Sequence, residues 1–121
     1  FKRVVDTHGH LVGSKVLKEV AEVMAANLDD EDRIFRYGGD EYVITLPGQD
    51  KKAALNKVKT IRKSLAESTF LKDEGLQIKL TASFGIANYP HDATNQRELL
   101  HIADNSMYQS KALGKDSITL A

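Results

Sequence analysis

The chain has 121 residues, 17 basic and 17 acidic side chains for a formal net charge of zero, and no cysteine. Disulfides, thiolate metal sites and cysteine nucleophiles are therefore excluded, and the charge balance gives no general footprint for nucleic acid. A hydrophobic share of 41% with only 7% aromatics suits one α/β domain with an aliphatic core, and no apolar run approaches the ~20 residues of a membrane span. The chain opens at Phe1 with neither an initiator Met nor a signal-peptide pattern, and it reads as a piece of a longer protein.

Residues 13–28 carry Val16, Leu17, Val20, Val23, Met24 and Leu28 at helical spacing, which predicts an amphipathic helix. The acidic run Asp29-Asp30-Glu31-Asp32 breaks that pattern and reads as a solvated loop. Residues 33–37 and 41–46 are β-branched and aromatic, and Gly38-Gly39-Asp40 lies between them. Two short strands around a Gly-Gly turn predict a β-hairpin, because glycine reaches the positive φ that tight hairpin turns require. Residues 51–67 place Ala54, Leu55, Val58, Ile61 and Leu65 on one face of a second helix. Residues 77–87 alternate and predict a strand, ended by Tyr89-Pro90. Residues 96–112, with Leu99, Leu100, Ile102, Ala103, Met107 and Tyr108, predict a third helix that Gly114 stops. Residues 117–120 form a short last strand, and a further strand is expected to end at Phe1-Lys2. Helices alternating with strands around an antiparallel hairpin indicate an α/β sandwich with a central mixed, mostly antiparallel sheet.

Arg36-Tyr37-Gly38-Gly39-Asp40-Glu41-Tyr42 is the sharpest local feature. Two glycines at a hairpin tip leave bare backbone that a phosphate can approach. Successive strand side chains point to opposite faces, so the carboxylates of Asp40 and Glu41 should diverge. One can hold a divalent cation while the other orients a partner, since Mg²⁺ takes oxygen ligands from one or two carboxylates plus substrate phosphates. On spacing alone, a plain Gly-Gly-Asp turn explains the run equally well.

Gly38-Gly39-Asp40-Glu41-Tyr42 resembles the signature of the GGDEF domain, with Tyr in place of the final Phe. The likeness covers nearly the whole chain. Phe1-Lys2-Arg3-Val4-Val5-Asp6 is similar to the family's FKxIND segment, and Gly9-His10 with Gly13 to its GHxxGD segment. Thr81-Ala82-Ser83-Phe84-Gly85-Ile86-Ala87 is similar to its TxSxGxA strand. Ala103-Asp104, Tyr108, Lys111 and Gly114-Lys115 follow its AD-x-x-x-Y-x-x-K-x-x-G-[RK] helix.

The resemblance implies a fold similar to the palm of polymerases and class III nucleotide cyclases. It implies a bacterial diguanylate cyclase, a nucleotidyltransferase in which two domains each hold one GTP. Each 3′-hydroxyl then attacks the α-phosphate of the other nucleotide, which releases pyrophosphate and gives cyclic di-GMP. By this likeness Asp40 binds Mg²⁺ or Mn²⁺ and helps deprotonate the hydroxyl, and Glu41 completes the catalytic pair. Gly38 and Gly39 admit the phosphates, Phe1 and Lys2 offer backbone groups to them, and Lys111 and Lys115 bring cations. The two lysines share a helix face if the helix lasts that far, which Gly114 opposes. Lys115 replaces the more usual Arg, so a bidentate contact becomes a point charge. Without the likeness, both lysines read as a solvated helix end whose cations favour the dipole.

Three departures from the family pattern matter. Val5 and Ser14 stand where the family has the Asn and Asp that read guanine. Ser can donate or accept, Val can do neither, so guanine preference is weakened, ATP becomes an admissible substrate, and hybrid cyclases that make cyclic GMP-AMP are the relevant subgroup. His10 remains beside the expected base or ribose, and reads equally well as a loop histidine. Asp29 occupies the Arg position of the family's product-inhibition motif RxxD, so feedback through that site is not expected. Finally, one metal-binding Asp, a preceding helix and most of the first strand belong upstream of Phe1 in the family. The fragment alone is expected to be inactive, and the parent to be a homodimer with an upstream sensor or dimerisation domain. The domain itself is expected in the cytoplasm, with any membrane anchor outside this chain.

Two other readings carry little. His8 and His10 with Asp6 have no Cys or third His near them, and their spacing fits a loop as well as a metal site. Ser83 has no His or acid at nucleophile-elbow spacing. The remaining alternative is a degenerate, non-catalytic GGDEF domain that binds nucleotide or mediates protein contacts.

Overall fold

A computed structural model describes residues 1–121. Its elements in chain order are α1 (Lys2–His8), α2 (His10–Ala25), β1 (Arg33–Gly38), β2 (Glu41–Thr45), α3 (Lys51–Glu67), β3 (Phe84–Ile86), α4 (Gln96–Ala112) and β4 (Ile118–Leu120), with a 3-10 turn at Lys72–Glu74. The class is mixed α/β, as the patterning predicts. The strands form two pairs, β1 with β2 antiparallel and β3 with β4 parallel, where one continuous sheet was expected. The chain folds as two compact units: Phe1–Pro47 with Lys63–Leu80, and Gly48–Arg62 with Thr81–Ala121. No helix is long and apolar enough to cross a membrane.

In the first unit, the expected strand end at Phe1-Lys2 is instead a helix start, with Phe1 as the N-cap of α1. Gly9 (φ +88) ends α1 and opens α2, so the second helix begins at His10 rather than at residue 13. Its amide donates to Val5 O, and its carbonyl accepts from Gly13 N. Gly13 has no room for a side chain: a Cβ there would lie 2.9 Å from Val5 Cγ2 and 3.2 Å from Phe1 Cζ. The two helices therefore touch where glycine removes the obstacle. Val4, Val16, Leu17, Met24, Leu65, Phe70, Leu71 and Ile78 form the buried apolar core of this unit.

The acidic run after α2 is a turn closed on itself. Asp32 N donates to Asp29 O and Asp29 N donates to Asp32 Oδ2 at 2.8 Å. Asp32 is buried as a result, in contrast to the solvated loop expected for the whole run. The hairpin follows at its predicted place. Its register runs Arg33↔Thr45 through Arg36↔Tyr42, then shifts to Gly38↔Glu41, which leaves Tyr37 as a bulge.

The expected strand over 77–87 is largely absent. Ile78 makes only an isolated bridge with Phe70, through hydrogen bonds of 2.8 and 3.2 Å, and the ladder resumes at Phe84. Alternation makes a segment able to pair, but a strand exists only where a second backbone supplies donors and acceptors.

In the second unit, α4 lies directly on β3. A Cβ on Gly85 would stand 2.1 Å from Ala103 O and 2.4 Å from Met107 N, so only glycine permits this approach. The seam is polar and satisfied: Ser110 Oγ donates to Phe84 O at 3.0 Å and lies 2.6 Å from Thr119 Oγ1. Asn95 caps α4 by accepting from Glu98 N, while the Glu98 carboxylate accepts from Thr94 N, a reciprocal capping arrangement. Lys51 Nζ bridges Asp92 and the carbonyl of Ala121.

Candidate functional site

A cavity of about 390 Å³ opens in the first unit between the hairpin tip and the N-terminal helices. From α1 and its cap come Phe1, Lys2 and Val5. From α2 come His10, Gly13, Ser14 and Leu17. From the hairpin come Arg36, Gly39 and Asp40. Seven of the candidate nucleotide and metal residues named from the sequence thus meet here, Phe1, Lys2, Val5, His10, Ser14, Gly39 and Asp40, together with Gly13 of the GHxxGD-like segment. Gly38 and Glu41 flank the tip without lining the wall, Gly38 closing β1 and Glu41 opening β2. His10 sits in the first turn of α2, not in a loop.

Each side of the cavity has a local cause. Gly39 adopts φ +49, which a residue with a Cβ rarely tolerates, and this sets the tight reversal before Asp40. Gly38 is different, since neither a positive φ nor a neighbour within 4 Å of its would-be Cβ demands glycine there. Bare backbone at Gly38 therefore serves no packing need inside this chain, which suits close approach by a ligand. Opposite the tip, Ser14 is exposed on α2 while Leu17 beneath it is buried, so one helix face presents a hydroxyl to the cavity above an apolar floor.

Arg36 and Leu17 complete the wall and were not singled out by sequence reasoning. The Arg36 guanidinium donates twice to Gly39 O, at 3.1 Å from Nε and 2.8 Å from Nη2. The fork thereby braces the turn that carries Asp40. The available signal was the hairpin itself, which puts Arg36 across from Tyr42 once its register is known. Tyr42, two residues past Asp40, donates from its hydroxyl to Leu17 O at 2.7 Å. Burial pushes the Tyr42 phenol above its ordinary pKa, partly offset by the positive charge of Arg36.

No three His, Cys, Asp or Glu side chains converge anywhere in the chain. Asp40 supplies one exposed carboxylate at the tip. Such a donor fits Mg²⁺ only as part of a shell completed by phosphate oxygens or by groups outside these residues.

Lys111 and Lys115 belong to the second unit. Lys111 lies in the last turn of α4 with its ammonium 5.5 Å from the centre of the Tyr108 ring, a cation–π contact. The shared helix face does not form, because α4 ends at Ala112 and Lys115 adopts φ +64. Gly114 (φ +105) breaks the helix, and Lys115 N caps it by donating to Ser110 O. Arg62 then holds Asp116 through both its carboxylate and its carbonyl.

A mixed α/β domain of the nucleotide-cyclase palm type, with its glycine-acid turn facing a helix pair across a cavity, is the class these features define. The sequence matches the family described as "Diguanylate cyclase, GGDEF domain" over residues 1–117. The chain belongs to this family. It is 35% identical over 121 residues to diguanylate cyclase A of Treponema denticola, covering all of this chain and 32% of that protein. It is 34% identical over 119 residues to the response regulator PleD of Caulobacter vibrioides, covering 98% of this chain and 26% of that protein. Among solved structures, the GGDEF domain of YfiN (TpbB) from Pseudomonas aeruginosa superposes with a TM-score of 0.90 at 32% identity. That match covers 99% of this chain and 74% of the other. The chain thus spans about a third or less of the curated relatives it matches.

Proposed function

We propose that this chain is the nucleotide-holding domain of a cyclase that condenses two GTP into cyclic di-GMP and releases pyrophosphate. The observation that carries the reading is the cavity itself. Residues remote in sequence, Phe1 to Ser14 on one side and Arg36 to Asp40 on the other, line one space of about 390 Å³. Phosphates meet the bare backbone of Gly39 on the cavity wall and of Gly38 at its edge, with Lys2 and Arg36 supplying positive charge on the wall. The base lies toward α2, against Ser14 and Val5 with His10 beside them. Lys111 and Lys115 serve the outer phosphates in the working assembly.

Mg²⁺ or Mn²⁺, when bound, neutralises phosphate charge and raises the acidity of the attacking hydroxyl. Asp40 is the residue of this chain that holds it, and Glu41 completes the acidic pair. Arg36 fixes the turn that carries Asp40, so the backbone beside that carboxylate is set before substrate arrives. Two copies of the domain must meet for the reaction to close a ring, since each nucleotide supplies both an attacking hydroxyl and an attacked phosphate. The remaining parts of the parent protein, a sensor or dimerising segment, bring the copies together.

Base choice is relaxed. A guanine edge left without its partner loses about 1–3 kcal/mol per group, and Val5 offers none while the Ser14 hydroxyl accepts either purine. GTP and ATP together are therefore substrates for a mixed product, cyclic GMP-AMP. The test incubates the full-length protein with Mg²⁺ and GTP, ATP or both, and identifies products by mass. Cyclic di-GMP alone from the mixture overturns the relaxed-base reading. No dinucleotide from any mixture, with a folded dimer, overturns the enzyme and leaves a nucleotide-binding or interaction module.

A further inference from the structure

Tyr42 occupies the position where the family signature has Phe, and its hydroxyl is in use. The bond from Tyr42 Oη to Leu17 O measures 2.7 Å. Leu17 lies within α2, where a carbonyl already accepts from the amide four residues on. A carbonyl oxygen has a second lone pair, so the phenol adds a bond without displacing the helical one. Phenylalanine would bury the same ring and lack that bond.

The placement gives the bond its consequence. Tyr42 stands opposite Arg36 in the hairpin register, so both side chains leave the same face. Arg36 holds Gly39 O through two donors. Gly39, Arg36 and Leu17 all line the cavity, and Ser14 lies one helical turn before Leu17. A path therefore runs from the turn carrying Asp40, through Arg36 and Tyr42, to the helix that carries the base-side hydroxyl.

We propose that Tyr42 is a positioning residue: its hydroxyl ties the hairpin to α2 and sets the span between Asp40 and Ser14. This rests on reading the cavity as the nucleotide site. A nucleotide has a fixed reach from base to phosphates, so a span held in advance favours binding by lowering the ordering cost. The bond acts on affinity, not on the reacting atoms.

The test is Tyr42→Phe in the full-length protein, read by steady-state kinetics with GTP and by amide hydrogen exchange without nucleotide. KM should rise about 3- to 10-fold, the range one lost neutral hydrogen bond sets, while kcat stays within about twofold. Exchange should quicken on both sides of the bond, at Gly39–Glu41 and at Leu17 and the turn after it. A KM and kcat both unchanged, whatever happens to the melting temperature, overturn the proposal and leave Tyr42 as a packing residue. An equal fall in kcat and kcat/KM overturns it as well, because the effect would then lie in the transition state. If wild-type protein neither binds nor converts GTP, the nucleotide reading fails by itself. Exchange then decides the tie alone: quickening on both sides supports it, and quickening on one side or neither overturns it.

Discussion

Gly13→Ala sets two effects of opposite sign against each other in one helix. Inside α2, alanine is favoured over glycine by about 1 kcal/mol, because glycine loses more backbone freedom on folding. The new Cβ, however, would stand 2.9 Å from Val5 Cγ2 and 3.2 Å from Phe1 Cζ. Carbon atoms pack best at about 3.5–4.0 Å. Val5 is β-branched and helical, so its χ1 is nearly fixed and cannot swing aside. Relief requires α1 to move, and overpacking of this kind costs about 1–3 kcal/mol. The net expectation is a loss of about 0–2 kcal/mol, or up to about 8 °C in the melting midpoint. Nucleotide affinity should fall too, since Phe1 and Val5 line the cavity. Thermal unfolding of wild type, Gly13→Ala, Val5→Ala and the double variant closes a cycle that isolates the contact. Removing the Val5 methyls should turn the Gly13→Ala effect neutral or stabilising. A Gly13→Ala protein that gains the full helix increment, with no coupling to Val5→Ala, would refute the packing of α1 on Gly13.

Ser14→Asp restores an acceptor pair toward guanine, and a hydrogen bond to a charged group contributes about 1.5–3 kcal/mol. The GTP-over-ATP ratio of kcat/KM should therefore rise about ten- to a hundredfold in competition assays, and an unchanged ratio would remove Ser14 from base reading. Asp92 gives a pH dependence of stability. The Lys51 ammonium, with help from the Asn88 amide, holds its carboxyl below the ordinary value of 3.8. The unfolded chain then binds the proton more readily, so this stabilisation is complete above pH 3.8 and is lost as pH falls through the lower folded value. Urea midpoints should drop along that acid limb, and Asp92→Asn should flatten it; identical limbs would contradict the assignment. Cyclic di-GMP should show no tight binding at the turn Asp29–Asp32, because the Asp29 charge repels phosphate. Calorimetry detecting a tight complex that Asp32→Ala abolishes would refute this.

Legibility in the sequence followed how local the determining physics is. The helices α3 and α4 were readable to the residue because long amphipathic periods, and for α4 the Gly114 stop, act within a turn or two. The hairpin was readable because a Gly-Gly pair between two β-branched runs marks a reversal, which Gly39 makes with its positive φ. The short α1 was not. Its seven residues include Val4, Val5 and Thr7, poor intrinsic helix formers, and the packing against Gly13 that stabilises it becomes visible only in three dimensions. The alternation over 77–87 promised a longer strand than pairing supplies. In the site, family likeness named most of the wall, but not Arg36 or Leu17. Their part depends on a register with a bulge at Tyr37 and on a hydrogen bond between residues 25 apart.

Neither compact unit is an uninterrupted stretch of chain: the polypeptide passes from one to the other after Pro47, Arg62 and Leu80. No single cut of the gene can release either as an independent fragment. A ribosome must deliver the second unit's Gly48–Arg62 before the first unit owns its last buried residue, Ile78. Evolution could therefore shuffle this module among larger proteins only as an indivisible cassette.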